Sequence, residues 1–527
     1  AMLRRFERRL PLLIGGARDL PRRQQALRDT IAWSHDLLDE EERRLFRRLS
    51  VFVGGCKLEA AEAVCNTIED PSADMLDGLT SLIDKSLLRQ EEGVGGEPRF
   101  AMLETIREYA LEQLAASEES EEIQNAHAAY YLALAEEAEP ELNSAAQRAW
   151  LNRLEAEHPN LQAVLHRLLE RGDRETALRL GGALWRFWLS QGHLSEGRRW
   201  LEEALAGGGS ASASVLAKAL NGAGVLAHYQ SDYGRAAELC GESLQLSRRL
   251  EDKRHIASAL DGLALVARTG GRYAAARGMY EESREIFREL GDEWGVAHSL
   301  HYEGISVWQQ GKHAEARPLL EESLKLYREL GDRQGIAGVL HLLRVAQDDY
   351  ATARALCEES LNICREIGDK RGMARGLIGL GEVALEQGDH ATARAAYNES
   401  VAIFKELGDK WFLAVSLDGL AGAISAEGRP AVAARLLGTA EALFEAIGAP
   451  LPPYCHPAHE RTLAAVRSRL DRENLAAAWA EGRSMTPEQA VAALEQPSVE
   501  PAAPSSPYPA GLTAREVEVL RLVAGGL

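Results

Sequence analysis

Between residues 250 and 409 the chain repeats itself, and this limits its fold more than any other feature. The tripeptides Leu250-Glu251-Asp252, Leu290-Gly291-Asp292, Leu330-Gly331-Asp332, Ile367-Gly368-Asp369 and Leu407-Gly408-Asp409 are spaced by 40, 40, 37 and 40 residues. A serine preceded by glutamate keeps step with them at Ser243, Ser283, Ser323, Ser360 and Ser400. Each unit reads as two helices. A run such as 294–310 is followed by a break at Gly311, then by a second run over 314–330. In that second run Ala316, Leu319, Leu320, Leu324, Tyr327 and Leu330 recur at helical spacing. Gly then supplies the left-handed residue that ends a helix, and Asp the N-cap of the next. Units of this kind cannot bury an apolar face alone, so they stack into an α-solenoid. The fold class expected is all-α, a solenoid of helix pairs preceded by a domain with a small β-hairpin.

The pattern resembles tetratricopeptide repeats in a long form, with Ala276, Ala316, Ala353 and Ala393 where close helix contact needs a small residue. The 37-residue interval places about one missing helical turn at 345–350. A shorter first helix and a change of curvature are expected there. Upstream, 146–171, 173–191 and 194–206 read as helices without the strict period, and Trp185, Phe187, Trp188 and Trp200 as packing residues. Gly207-Gly208-Gly209-Ser210 reads as a flexible connection into the array.

Composition narrows the partners. The 527 residues carry 60 Lys+Arg against 80 Asp+Glu, a formal charge of −20. Such a chain contacts nucleic acid only through a local basic element. Six cysteines without CxxC spacing read as reduced, mostly buried thiols of a cytoplasmic protein. No secretory leader or membrane span is read. Cys455, His456 and His459 lie close together but lack a second ligand pair at zinc-site spacing, so no metal residues are assigned.

The first fifty residues are rich in arginine, with pairs at 4–5, 8–9, 22–23, 43–44 and 47–48. These fit either solvated helix faces or an interface to an acidic neighbour or nucleic acid. Helices are expected over 22–38, 40–49, 58–65 and 75–85, strands over 86–89 and 99–102 around a turn at 93–98, and a helix from Glu104 towards Ala116. Helices followed by a short hairpin describe a winged helix. The segments LPLLIGGARDLPRRQQALRDTIAWSHDLLDEEERRLFRRLSVFVGG, LTSLIDKSLL and RFAMLETIREYALEQL resemble the winged-helix region of STAND signal-transduction ATPases. More narrowly, the chain is similar to LuxR-type STAND transcription regulators with helical repeats, the maltose-regulator-like group. The resemblance extends to AEALFEAIGAPLPP and the region around Trp479 to Ala493. In many such proteins a Met-His-Asp motif senses bound ADP. Met102-Leu103-Glu104 stands in its place, and Leu103 cannot donate a hydrogen bond to phosphate. Met102 and Leu103 therefore read as core residues.

Residues 496–510 form a Pro-rich linker. The string from Leu512 to Leu527 is similar to the opening of a LuxR-type helix-turn-helix. Thr513 is its expected N-cap, Glu516 completes a capping box, and Arg515 stands beside it. Without a second and a recognition helix, 510–527 is expected to be poorly ordered or docked elsewhere. Ala1 and Leu527 read as cut ends of a longer protein. The divisions are 1–118 winged-helix region, 119–212 irregular helical pairs, 213–448 tetratricopeptide-like repeats, 449–495 helical cap, 496–510 linker and 511–527 truncated helix-turn-helix.

No GxxxxGK[ST], GxSxG, HExxH or EF-hand pattern occurs, so no catalytic or cofactor-binding residues are assigned and the chain is not expected to be an enzyme. The resemblance implies a P-loop domain holding ATP or ADP only in a full-length parent, and promoter DNA as a partner only of that parent. It implies a sensor whose repeats bind a small-molecule inducer or a regulatory protein, with self-association a further expectation. The alternative is a free-standing repeat adaptor. On the concave side, His301 and His341 each follow their repeat's Asp by nine residues, and Trp308 and Arg344 lie nearby. These four are the candidate ligand or partner face, although the same positions also suit packing between repeats.

Overall fold

The computed structural model describes residues 22–66, 75–93, 96–207, 211–344, 349–492, 494 and 514–524. Helices α1 (Arg22–Asp36), α2 (Glu40–Leu49), α3 (Leu58–Cys65) and α4 (Met75–Asp84) lead into a hairpin of β1 (Arg89–Glu92) and β2 (Pro98–Ala101), and α5 (Glu104–Ala115) follows. The strands are antiparallel, with Arg89 opposite Ala101 and Gln90 opposite Phe100. A reciprocal cap starts α2: Glu42 donates its N–H to Asp39 and accepts from the Asp39 N–H, both at 2.9 Å.

The first strand begins three residues later than expected. Ser86 takes a φ of 59°, which turns the chain. Leu87 and Leu88 then drop into the core without pairing. The strand itself is charged and exposed, so no apolar alternation marks it. Leu103 is another correction. It lies at the N-terminus of α5 and is 42% exposed, while Met102 packs on the core.

In the arginine pairs whose side chains are described, Arg43, Arg47 and Arg48 bind other parts of the protein. Arg48 is buried, pairs with Glu119 at 2.7 Å and donates to the Cys65 carbonyl at 2.6 Å. Arg47 pairs with the same carboxylate. Arg43 donates to the Asp36 carbonyl at 2.8 Å. The pairs at 4–5, 8–9 and 22–23 lie outside the described side chains.

Irregular pairs follow: α6 (Ser120–Glu141) with α7 (Gln147–Arg171), and α8 (Arg174–Gln191) with α9 (Leu194–Ala206). Helix α7 holds the winged helix. Its buried Asn160 accepts from the Val53 N–H at 2.7 Å and donates to the Gly55 carbonyl at 2.9 Å. Its Glu157 binds Arg99, accepts from the Tyr131 hydroxyl at 2.7 Å and takes a second Asn160 bond at 2.8 Å. Gly55, at φ 82°, lets this loop approach the hairpin, because a Cβ there would lie 2.5 Å from the Phe100 oxygen. The buried wall of the expected aromatic group is Phe187, Trp188 and Trp200, whereas Trp185 is only half-buried.

The regular array pairs α10 (Ala213–Tyr229) with α11 (Tyr233–Arg249), α12 (Lys253–Thr269) with α13 (Tyr273–Glu289), and α14 (Glu293–Gln309) with α15 (His313–Leu330). It continues with α16 (Arg333–Leu343) and α17 (Tyr350–Ile367), α18 (Lys370–Glu386) and α19 (His390–Leu407), then α20 (Lys410–Ala426) and α21 (Pro430–Ile447). The short repeat has the shortened helix expected: α16 spans 11 residues against 17 in α14 and α18. Residues 345–348 lie outside the described set, as do 208–210. Helices α22 (His456–Arg469), α23 (Arg472–Ser484) and α24 (Pro487–Ala492) cover the end of the array.

Two bonds explain the two sequence markers. In four of the five marked units the serine hydroxyl of the second helix donates to a carbonyl of the helix before it, while Ser400 instead meets the Ser416 hydroxyl of the helix after it at 2.8 Å. Ser243, Ser283, Ser323 and Ser360 reach Ala217, Ala257, Ala297 and Ala337 at 2.7, 3.1, 2.7 and 2.8 Å. Each Asp does two things. One oxygen caps its own helix: Asp252, Asp292, Asp332, Asp369 and Asp409 accept from the N–H of His255, Gly295, Gly335, Gly372 and Phe412 at 2.8–3.1 Å. The other accepts from the previous repeat, always from the second residue after that repeat's cap position. Ser214, Arg254, Trp294, Gln334 and Arg371 are the donors, at 3.5, 2.5, 2.8, 3.1 and 3.2 Å. Gly291, Gly331, Gly368 and Gly408 have φ of 67–76° ahead of the Asp, and in the first copy Glu251 takes the same turn at 54°.

The linker 496–510 and Thr513 lie outside the described residues. Helix α25 (Ala514–Ala524) is formed, with Val519, Leu520 and Val523 at least half exposed. It is therefore a helix with an open apolar face, neither unstructured nor buried along that face. Arg515 pairs with Glu518 at 3.3 Å.

Asp332→Asn should keep the cap and lose the bond from Trp294, because an amide N–H₂ then faces the indole N–H. Asp332→Ala loses both. We expect losses of about 1 and about 2–3 kcal/mol respectively, read from urea unfolding. Asn160→Ala strips partners from two buried backbone groups at the domain junction. It should cost about 2–4 kcal/mol and raise amide exchange around Val53 and Gly55 while the repeats stay protected.

Candidate functional site

The first helices of the pairs line the inside of the superhelix, and the superhelix is wound tightly enough for opposite sides to touch. The Gln147 side-chain oxygen accepts from the Gln334 N–H at 3.2 Å, and its amide reaches Asp332 at 3.4 Å. Ser190 donates to the Gln334 side chain at 3.2 Å, and the Trp411 N–H to Ser231 at 3.3 Å. Arg186 is sandwiched between Trp185 and Trp294, 4.6 and 4.1 Å from the ring centres. Trp185, expected simply to pack, is thus part of the inner wall.

Two cavities lie within this ring. The larger, of about 140 Å³, is walled by Asn221, Tyr280, Trp294, His298, Asp261 and Gly338 among others. The smaller, of about 60 Å³, is walled by Arg268, Trp308, His341, Arg344, Trp411 and Tyr454 among others. Tyr229, Tyr302, Arg371 and Arg375 belong to both walls.

All four residues expected on the ligand face are in these walls. His301 lines the larger cavity, and Trp308, His341 and Arg344 the smaller. They are not on an open surface: His301 is 4% exposed, Arg344 7% and Trp308 8%. Trp308 packs at a tilt against Tyr454 from the C-terminal cap, ring centres 4.6 Å apart, which closes that side. Arg344 pairs with Glu382 at 2.5 Å. Arg371 pairs with Asp409 at 3.2 Å and lies 4.0 Å over the Tyr229 ring.

Burial sets the protonation of this interior. Desolvation pushes His301 well below the ordinary imidazole range, and Arg375, His298 and Arg268 push the same way. His341 is lowered by burial, then by Arg344 and Arg375. His228 is lowered by burial, Arg268 and Arg371. Burial raises Asp332 and Asp409 against their helix caps and arginine neighbours.

Sequence reasoning missed Arg268, Arg371 and Arg375. Arg268 stands sixteen residues after Asp252, as Trp308 stands after Asp292. Arg375 follows Asp369 by six, as His298 follows Asp292. Aligning all repeats on the Asp would have placed both arginines on the inner face. Glu155, His158 and His193 also bring three possible metal ligands within 4.8 Å, across a gap that no spacing motif marks. His193 meets Glu155 at 2.9 Å and His158 meets Glu196 at 3.2 Å. His459 pairs with Asp418 at 2.6 Å.

The winged helix offers no such basic interior. Helix α4 carries Asp77 and Asp84 and no Lys or Arg. On the hairpin, Arg99 is turned inward to Glu157, while Glu91, Glu92 and Glu97 lie exposed beside one exposed cation, Arg89.

Comparison with known proteins agrees with this division. Residues 38–115 match the winged helix-turn-helix domain family, and 215–289, 256–329, 332–406 and 377–446 match the tetratricopeptide repeat family. The chain therefore carries a winged helix-turn-helix domain followed by tetratricopeptide repeats. It is 41% identical over 194 residues to proteins named as HTH-type transcriptional regulators in Mycobacterium tuberculosis (strain ATCC 25618 / H37Rv) and Mycobacterium bovis (strain ATCC BAA-935 / AF2122/97). The matched stretch is 37% of this chain and 22% of the length of those relatives. Among solved structures, a Rap protein complexed with competence and sporulation factor aligns over 67% of this chain and 99% of its own, at 15% identity and a TM-score of 0.43. A STAND protein with a tetratricopeptide repeat sensor from Pyrococcus horikoshii aligns over 78% of this chain and 65% of its own, at 16% identity and a TM-score of 0.40. Among the described residues no helix is long and apolar enough to cross a membrane.

The buried histidines give a pH dependence with a definite sign. His228, His301 and His341 bind fewer protons folded than unfolded. Their contribution is complete above the ordinary imidazole value of about 6.5 and is lost as pH falls through it. We expect the melting temperature to drop between about pH 7.5 and about pH 5.5, and the drop to shrink in a His301→Gln/His341→Gln variant.

Proposed function

We propose that this chain is the sensor and regulatory portion of a LuxR-family STAND transcription regulator. Its repeats hold an inducer or a regulatory partner, and its winged helix passes the bound state on. The observation that carries the reading is the inner chamber. It has polar groups aimed inward from six successive repeats and lies in a chain whose relatives are named as transcriptional regulators. In this reading ATP or ADP is bound by a P-loop domain of the full-length parent. DNA is bound by a completed helix-turn-helix of which α25 is the first helix, and the setting is the cytoplasm. The chain performs no catalysis of its own, and nucleotide exchange in the parent leads to self-association on promoters.

The acidic winged helix supports a role in protein contact, because α4 would carry negative charge towards the phosphates of a groove. The α7 junction supports a route for the signal. One helix carries both Gln147, which touches Asp332 and Gln334 of the repeats, and the Glu157–Asn160 pair that grips the winged helix.

The test compares this chain with the complete reading frame that contains it, by gel mobility shift on the DNA upstream of its gene. The frame should give a sequence-specific shift, and Arg375→Gln should change its transcriptional response. This chain alone should give no specific shift. Specific binding by this chain alone, or a promoter response indifferent to the chamber, would overturn the reading. The latter result would favour a free-standing adaptor.

A further inference from the structure

The smaller cavity gathers positive charge that its wall does not neutralise, whereas in the larger one Asp261, Asp332 and Asp369 face Arg186, Arg371 and Arg375. Four arginines line the smaller cavity: Arg268, Arg344, Arg371 and Arg375. Arg344 has Glu382 and Arg371 has Asp409. Arg268 and Arg375 form no ion pair among the described residues. Among the described residues, the one hydrogen bond from Arg268 is long, 3.4 Å to Gln309, and its guanidinium lies 6.0 Å from the Tyr302 ring centre. Arg268 and Arg375 are both half-buried, with Nε of each shut off from water, and a cation that gives up part of its hydration without gaining a partner is destabilised. Two of them facing one small space, in a chain of formal charge −20, call for an anion.

The orphaned polar atoms say the same. Among the described residues, His301 Nε2, Arg344 Nε, Arg268 Nε, Arg375 Nε, His341 Nδ1 and Trp411 Nε1 are buried without a hydrogen-bond partner. In the larger cavity the Tyr280 hydroxyl and Asn221 Oδ1 are unsatisfied as well. Nearly all of these can donate, and native interiors leave few such groups unpaired. Glycine lets these side chains sit close to the helices: a Cβ at Gly338 would lie 2.8 Å from His301 Cε1 and 3.3 Å from Arg375 Nη2, and one at Gly379 would lie 2.7 Å from Arg344 Nε.

Size limits the ligand. A cavity of about 150 Å³ takes one benzene-sized body. The larger cavity, about 140 Å³, suits a single ring and excludes a folded peptide segment. Its wall is aromatic, with Tyr229, Tyr280, Trp294, Tyr302 and Tyr327.

We propose that the chamber is a receptor site for a small organic anion, its ring in the larger cavity and its carboxylate or phosphate against Arg268 and Arg375 in the smaller. This rests on the reading of the repeats as the sensor. Arg375 belongs to both walls and orients the ligand. Tyr302, also shared, separates ring from acid group.

The test measures binding to this chain by thermal shift and calorimetry at constant ionic strength. The probes are benzoate, phenyl phosphate, inorganic phosphate and benzyl alcohol. Benzoate or phenyl phosphate should bind saturably, and whichever is tighter identifies the acid group. Arg375→Gln and Arg268→Gln should each weaken that probe on the order of tenfold or more, with the helical circular dichroism unchanged. Should Arg375→Gln fail to fold, Arg268→Lys keeps the charge, loses the planar fork and should still weaken binding. Equal binding of benzyl alcohol would overturn the anion and leave a sensor chamber. Equal binding of inorganic phosphate would overturn the ring. No binding by either acid would overturn the proposal, while the mobility-shift comparison still decides the sensor reading independently.

Discussion

The solenoid depends on one aspartate used twice. In each repeat one carboxylate oxygen caps the helix that begins there, and the other accepts a hydrogen bond from the repeat before. The first bond fixes where a helix starts, and the second fixes how far that start lies from its predecessor. Together they convert a period in sequence into a step in space. In four successive pairs a buried serine fastens the second helix to the first, and Ser400 ties its helix to the next one through Ser416. A regular step of fixed hand winds the array, and the array is wound tightly enough for Gln147 to meet Gln334 across it. The chamber is therefore a product of the caps. Asp332 shows the connection directly, since it caps α16, binds Trp294 and receives Gln147.

The chamber has an electrostatic logic opposite to that of the exterior. Outside, many charges are paired across neighbouring helices and exposed to water, as with Lys253–Glu289 and Lys370–Glu406, where each pair adds little. Inside, guanidiniums outnumber available carboxylates around the smaller cavity, and the histidines are held neutral by burial beside them. Neutral His301 and His341 can offer a proton to a ligand without adding further charge. A site arranged this way stores an unfavourable energy that an anion relieves on entry. Ligand binding can change the protein only to the extent that it favours one arrangement over another. Helix α7 is placed to report such a change, because its first turn rests on the repeats and its middle holds the winged helix.

How far the sequence disclosed this depends on the range of the interaction. The Asp caps were legible because a cap reaches only three residues along the chain. Their second bond was not, because its donors are Ser214, Arg254, Trp294, Gln334 and Arg371, which share a position and no chemistry. His301, His341, Trp308 and Arg344 were legible as an inner face from their place in the repeat. Their burial was not, because it comes from winding and from Tyr454 of the cap. Arg47 and Arg48 looked like a solvated or nucleic-acid face, and only the distant Glu119 makes them structural. The strand at Arg89–Glu92 carries no apolar alternation, since it is exposed on both faces and held by its partner strand alone.

The same distinction bears on what the winged helix does. A winged helix that reads DNA must bring cations to the phosphates flanking the groove. Here three arginines of the domain are bound within it or to α7 and its neighbours, Arg48 to Glu119 and Cys65, Arg99 to Glu157 and the Gly54 and Gly55 carbonyls, Arg107 to Glu104 and the Ser50 carbonyl, while Arg89 of β1 is exposed. Lys57 and Lys85 are held by Glu97 and Glu42. What remains outward on α4 is acidic. A duplex laid against α4 would meet Asp77 and Asp84 rather than cations. Contact with another protein surface carries no such penalty.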